Sequence, residues 1–358
     1  MTTDRHNSIR LAAVGDLLLT ADPGGGPSRG LEALSCQIRD LFASCDLVFA
    51  NLESTLPGKG RVPTEPLVLS SEKQIQSLKD SGINIVTLGN NHAFDCLDEG
   101  FQKLTDVLNG LDIPWCGAGL DYEEASRPII AEVNGVSVAL LGVVDKSSGP
   151  YSFADDSTSG VVSLNVERIC QSIKNLKEKV DHVVISPHWG MERFRIPSLE
   201  QIEQAHAFVD ANASMVLGHH PHVPQGLEFY SEAPIAYSMG NFLANTVYWS
   251  HGDHLTWSRF EQTGMILLAE INTDSVLNVE QIPVFDDGVT ISIDKSGQGD
   301  QYLKKVNHLL SRGVTEKSYR REKFYVQTVK PIVAQLKWSK LKRVRPGHFN
   351  KLLKLFSQ

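Results

Sequence analysis

Along its first 217 residues the chain alternates short β-prone apolar runs with segments of helical spacing, and the ends of five of those runs carry clustered Asp, Glu, Asn or His residues. The runs Ile9–Val14, Leu47–Ala50, Ile83–Leu88, Val136–Val144, His182–Ser186 and Met215–Leu217 have strand character. Between them Leu31–Phe42, Glu72–Ser81, Glu99–Leu108, Val166–Lys179 and Leu199–Ala211 have helical spacing. Such alternation argues a layered α/β fold. Ile235–Ser238, Met265–Ile271 and Val276–Pro283 are strands without intervening helices, which predicts a second, largely antiparallel set packed beside the first. The whole reads as a β-sandwich flanked by helices, interrupted by loops at Ala21–Arg29, Asp145–Gly160, Asn245–Gln262 and Asp286–Gly299.

Composition narrows the class. With 41% hydrophobic and 21% charged residues the chain is neither disordered nor collagen-like. Its longest apolar stretch, Val136–Val144, is far short of the roughly 18 residues that suggest a membrane span. Arg10 and Asp16 interrupt the first apolar run, so no signal-type apolar core precedes a cleavage site and the expectation is a cytoplasmic protein. The five cysteines, Cys36, Cys45, Cys96, Cys116 and Cys170, are scattered and lack C-x-x-C spacing, the pattern of reduced thiols rather than of a disulfide framework or thiolate metal site.

Charge divides the chain sharply. Residues 1–300 carry net −21 and residues 301–358 net +13. We therefore expect a catalytic body over 1–299 and a basic, amphipathic helical tail over 300–358. In that tail Val326, Val329, Val333 and Leu336 recur at helical spacing, as do Phe349, Leu352, Leu353 and Phe356 after Pro346-Gly347. With Trp338 and Leu341 on an apolar stripe and Lys337, Lys340, Lys342, Arg343 and Arg345 around it, it has the composition of an interfacial helix. Two homes suit it: an anionic membrane surface, which would make the protein peripheral there, or the acidic body itself. The body's charge disfavours nucleic acid as a partner.

The chemistry lies at the strand ends, where ligands bind in α/β sheets. Asp16 follows the first strand, Asn51 and Glu53 the second, and Asn90, Asn91 and His92 the third; His188 ends the His182 run, and His219, His220 and His222 follow Met215–Leu217. A single Asp or Asn after a strand is ordinarily a turn former or helix cap. Three imidazoles in four residues are harder to explain by packing, since they would repel one another when protonated. Mixed imidazole, carboxylate and amide donors suit Zn, Mn or Fe as divalent ions. A bridging carboxylate would set two such ions about 3.5–4 Å apart, where they polarise a phosphoryl oxygen and activate water.

The ordered set Gly15-Asp16, Asn51-Leu52-Glu53, Gly89-Asn90-Asn91-His92, His188-Trp189-Gly190-Met191-Glu192, Gly218-His219-His220-Pro221-His222 and Ser238-Met239-Gly240-Asn241-Phe242 resembles the CapA-type capsule-biosynthesis, or poly-γ-glutamate synthesis, family. That family belongs to the calcineurin-like metallophosphatase superfamily, and the resemblance spans roughly residues 9–285. It implies a four-layer α/β/β/α sandwich with one or two divalent transition-metal ions at the strand ends. By this resemblance Asp16, Glu53, Asn91, His188, His220 and His222 are metal ligands, with Glu53 bridging. His92 resembles the histidine that donates to a phosphoryl oxygen or leaving group. Leu18 stands where many superfamily members carry a histidine, so one metal position lacks an imidazole. Asn51, Asn90, Glu192, His219 and Asn241 are expected around the ligands or against substrate.

Two functions follow from this reading. One is a metal-dependent, phosphatase-like hydrolase acting on a phosphorylated or polyanionic substrate, small or polymeric. The other is a non-hydrolytic metal-binding accessory protein in capsule or poly-γ-glutamate synthesis or export.

Overall fold

The structure, a computed structural model, describes residues 7–23 and 28–335. Its body, residues up to Val314, is built on two sheets. In the first, β1 (Ser8–Leu18), β2 (Leu47–Leu52) and β3 (Ile85–Thr87) run parallel side by side, with Trp115–Cys116 at one edge. The second has a parallel centre of β4 (Val136–Val144), β5 (His182–His188) and β6 (Met215–Leu217), extended by Ala233–Ala236 and closed by antiparallel edges Ile129–Val133 and Leu227–Tyr230.

Period-two alternation makes the layers. Leu11 and Ala13 of β1, Phe49 of β2 and Ile85 of β3 face Val138, Leu140, Val184 and Leu217, forming the core between the sheets. Their neighbours Ala12, Val14, Val48 and Val86 point the other way, onto Ile38, Phe42, Ile75, Leu78, Phe101 and Leu104 of three helices. On the far side of the second sheet Leu141, Val183, Ile185 and Val216 meet Ile169, Ile173 and Phe208 of two more. The result is the expected four-layer α/β/β/α sandwich. Each fully buried Leu, Ile or Phe in these layers contributes roughly 1.5–3 kcal/mol relative to exposure.

Several expectations are corrected. The late strands do not form a set of their own: Thr263–Asn272 pairs antiparallel with β1, and Val276–Asp286 continues outward from it. Spacing along the chain marks strands, but which open edge they join is decided by tertiary packing. The segment Leu31–Phe42 is broken, because Ser35 is extended between a short 3-10 turn, Leu31–Ala33, and the helix Cys36–Ala43. The loop Asp286–Gly299 contains the edge strand Ile291–Ile293. Beyond it the helix Gln298–Ser311 inserts Tyr302, Leu303 and Val306 into the inter-sheet core. The body therefore runs to Val314 rather than ending at 299. Inside Asn245–Gln262, Val247–Tyr248 and His254–Leu255 form a small hairpin.

The second unit starts at Thr315, whose side chain and Ser318 form a capping box for the helix Glu316–Phe324. Helical backbone continues through a π-type turn, Tyr325–Val329, to Lys330–Gln335. Residues 336–358, including Trp338, Leu341 and the run after Pro346, lie outside the described residues. Among the described residues no helix is long and apolar enough to cross a membrane.

Candidate metal centre

Register brings the polar strand ends into one row. Asp16 lies inside β1, at a bulge after Ala13, rather than beyond the strand's end. There it sits beside Asn51 of β2 on one side and Asn241, which opens β7 (Asn241–Ala244), on the other. Gly15 makes this possible, because a Cβ there would stand 1.8 Å from the Gly240 carbonyl oxygen. Across the sandwich His188 ends β5 and bridges to His219. Gly218, just before His219, has the same role as Gly15: a Cβ on it would meet the Tyr237 carbonyl oxygen at 2.1 Å. His220 and His222 hold left-handed backbone, φ 94° and 57°, a conformation that costs energy in a non-glycine residue and clusters at functional sites.

Glu53 is the centre of the constellation. It is fully buried and its Oε1 has no hydrogen-bond partner. That oxygen lies 3.7 Å from His188 Nε2 and 3.8 Å from His222 Nε2, too far for hydrogen bonds. Two triads of potential ligands share it, Glu53–His220–His222 and Asp16–Glu53–His188, each with its donor atoms within 4.8 Å of one another. Asn91 Oδ1 reaches His188 Nε2 at 2.8 Å, and the buried Nδ1 of His220 is also without a partner. Buried polar atoms left unpaired are costly. A convergent set of them, all nitrogen and oxygen donors, fits a divalent Zn, Mn or Fe ion.

Around these atoms a hydrogen-bonded frame fixes orientation. The Asn51 amide donates to Asp16 Oδ1 at 2.9 Å and to Glu53 Oε2 at 3.3 Å. Asn90 in turn donates to Asn51 Oδ1 at 3.1 Å and to the Leu52 carbonyl at 2.9 Å. Asp16 also meets His219 Nδ1 at 3.1 Å and His222 Nδ1 at 3.2 Å. Asn241 Oδ1 holds the same His222 nitrogen at 2.9 Å. The structure thus brings together Asp16, Asn51, Glu53, Asn90, Asn91, His188, His219, His220, His222 and Asn241. His92 and the exposed Glu192 line the adjoining cavity of about 200 Å³, with Asn91 and His222. His219 turns its ring edge-on to Phe49, 5.9 Å away, in the inter-sheet core.

Burial and mutual charge set the protonation of the metal-free centre. Burial pushes Glu53 up to about 8, and the Asp16 charge adds to it. Burial opposes ionisation of Asp16 too, yet its contacts with His219 and His222 hold it well below the usual carboxylate range. Burial also works against a charged His222, but the Glu53 and Asp16 carboxylates raise it to about 10. Burial and then the His222 charge lower His220 to about 4, and His188 falls well below its ordinary value by burial and the neighbouring His220. At neutral pH, His188 and His220 are neutral and ready to coordinate, while Glu53 and His222 still hold protons. Metal binding is accordingly expected to release roughly one to two protons per ion at pH 7, and affinity should climb with pH through about 8 and on to about 10, as Glu53 and then His222 lose their protons. Calorimetric titration with Mn²⁺ or Zn²⁺ in buffers of different ionisation enthalpy measures this; a proton count of zero would contradict the arrangement.

Sequence reasoning missed three contributors. Asp95 Oδ2 lies 2.9 Å from His92 Nδ1 and is itself held by the Val68 N–H at 2.7 Å. Trp257 packs on His222 with ring centroids 5.3 Å apart. Glu261 accepts from Arg193 Nε at 2.5 Å, and its carbonyl holds the Asn241 amide at 3.0 Å. The i, i+3 spacing of His92 and Asp95 was a visible signal; Trp257 and Glu261 lie in the loop after β7 and carried none.

Leu18 is buried in a small apolar cluster with Val68, Ala244 and Val247, against Leu255 and Trp257. It lines the same cavity as His92.

The sequence model of the bacterial capsule synthesis protein family PGA_cap matches residues 10–246. The PGA biosynthesis protein CapA of Bacillus subtilis is 33% identical over 224 residues, covering 60% of this chain and 57% of that protein. For the capsule biosynthesis protein CapA of Bacillus anthracis the figures are 33% over 178 residues, 49% and 43%. The chain therefore spans about half the length of these relatives. Among solved structures, the NAD nucleotidase of Haemophilus influenzae aligns with TM-score 0.48 at 13% identity, over 84% of this chain and 56% of that one. With six ordered motifs placed in one buried centre and the family match running through most of the body, the chain belongs to the bacterial capsule synthesis protein family PGA_cap.

Proposed function

We propose that this protein is a metal-dependent hydrolase that cleaves a phosphoester bond. The observation that carries the reading is Glu53: a buried carboxylate oxygen without a hydrogen-bond partner, shared by two ligand triads, one of whose members, His222, lines a cavity with Asn91 and His92. Asp16, Glu53, Asn91, His188, His220 and His222 would hold one or two divalent ions there. Such ions supply positive charge for a phosphoryl oxygen and lower the pKa of water.

The remaining chemistry falls to the chain itself. Asp95 occupies His92 Nδ1, which leaves Nε2 as the nitrogen that can reach a ligand in the cavity. Although burial works against a charged ring, the Asp95 carboxylate raises His92 above its ordinary value. His92 can therefore carry a proton at neutral pH and donate it to the departing oxygen. Asn51 and Asn241 hold Asp16, Glu53 and His222 in place. Leu18, Val68, Leu255 and Trp257 make one wall of the cavity apolar, limiting water beside the reacting group.

The test is turnover of metal-loaded protein on p-nitrophenyl phosphate, bis-p-nitrophenyl phosphate and poly-γ-glutamate. Hydrolysis of a phosphoester that chelator abolishes supports the reading. Metal binding without turnover on any of the three would favour the accessory role suggested by the names of the relatives, among them a probable polyglutamine synthesis accessory protein of Mycobacterium tuberculosis.

The two triads differ in donor chemistry. Asp16 is already engaged by His219, His222 and Asn51, and Leu18 offers nothing to an ion. Two metals are therefore expected to bind with unequal affinity, the Asp16 position being the weaker. Leu18→His should narrow the gap by roughly 10-fold or more, the scale of a well-placed metal contact. Native mass spectrometry during Mn²⁺ titration reads it, and identical stepwise affinities in the unmodified protein would defeat the idea.

A further inference from the structure

A second cavity, of about 300 Å³, shares the Trp257 side chain with the cavity that His92 and His222 line. We propose that it is a subsite for a neutral polyhydroxylated group, making the substrate a phosphorylated saccharide; this rests on the phosphoesterase reading above. Two features of the cavity carry the inference.

The first is the balance of charge. Arg29 is held by Asp286 through two contacts, 2.6 and 2.9 Å, and by Asn245 Oδ1 at 3.2 Å. Its charge is thereby matched, and Asp22 adds a further acid to the lining. Among the described residues a second phosphate or a carboxylate chain would find no free cation there, whereas a neutral polar group meets no such penalty.

The second feature is the pairing of rings with hydroxyls. Trp257 and Tyr248 line the cavity together with Thr246 and Thr256. The Trp257 Nε1–H is fixed on the Asn245 carbonyl at 2.7 Å, so the indole is anchored rather than free. Hydroxyl side chains both donate and accept, as sugar hydroxyls require. Aromatic surface covers the apolar C–H face of a pyranose ring, combining burial with orientation. With the phosphoryl group at the Glu53 centre, the sugar would pass Trp257 into this cavity.

Calorimetric titration of the metal-loaded full chain with two uncleavable anions, a glucose phosphonate and ethylphosphonate, separates this proposal from the catalytic one. The sugar phosphonate is expected to bind at least tenfold more tightly. Thr246→Val and Thr256→Val should each cut that preference to threefold or less without changing ethylphosphonate affinity. Equal affinity for the two anions would overturn the subsite while leaving the anion-binding centre intact. So would a preference that survives both variants. Failure of the protein to bind either anion would overturn both readings.

Discussion

Glu53→Gln is expected to strip the centre of metal and, at the same time, to raise the melting temperature of the metal-free protein. Glu53 is the one side chain common to both ligand triads. A neutral amide in its place is a poorer donor to either ion, and the affinity loss should exceed about 100-fold, beyond the 10–100-fold typical of an outer partner. The stability effect has the opposite sign. Folding raises the Glu53 pKa from 4.5 to about 8. A group that binds its proton more tightly in the folded state weakens folding as pH climbs through that interval, by on the order of 5 kcal/mol once it is fully ionised. The favourable His222 imidazolium is already contained in that value. Glutamine carries no such penalty, so the melting advantage of the variant should grow between pH 5 and pH 8. Metal quantification and thermal melts in chelator across that range decide the matter. A variant that keeps full metal content, or that melts lower than the parent at pH 8, would contradict it.

His92→Ala and His220→Ala should fail in different ways. His92 makes its contact with Asp95 and faces the cavity. Its loss removes a proton donor worth roughly 10²–10⁴-fold in turnover while metal content stays nearly intact. His220 belongs to a ligand triad and has a buried nitrogen without a partner, so His220→Ala should lose metal and turnover together. Because Asp95 raises the His92 pKa, the rate should fall on the alkaline side as His92 loses its proton. Asp95→Asn should move that fall to lower pH. Turnover unchanged in both alanine variants would place the chemistry elsewhere; equal metal loss in both would make His92 a ligand.

Much of the centre was readable before the fold because its donors come in short local patterns. His220-Pro221-His222 and Asn90-Asn91-His92 are adjacent in sequence, and their spacing alone sets which side chains can converge. The sandwich was readable for a related reason: alternation in Leu11–Val14 distinguishes two faces of one strand without knowledge of what covers them. What stayed hidden depended on distant pairing. Thr263–Asn272 has the same strand pattern whether it begins a new sheet or joins β1, and only the open edge of β1 settles it. Trp257 reaches His222 across 35 residues, from the segment Asn245–Gln262 that the sequence marked only as a loop. The break at Ser35 escaped notice because Leu31, Leu34, Ile38 and Phe42 keep one apolar face through it.

The donors are divided between the two halves of the sandwich. Asp16 and Asn51 lie in the first sheet and Glu53 and Asn91 in the loops leaving it, while His188 ends a strand of the second and His220 and His222 follow its next strand. An ion held there is a rivet through both plates at one end. At a free concentration 100 times its dissociation constant it would add about 2.7 kcal/mol to the folded state, concentrated where the plates would otherwise part. Metal supply would then govern the chain's lifetime against proteases as well as its chemistry, with the loops around Glu53 and His220 the first to loosen in a starved cell.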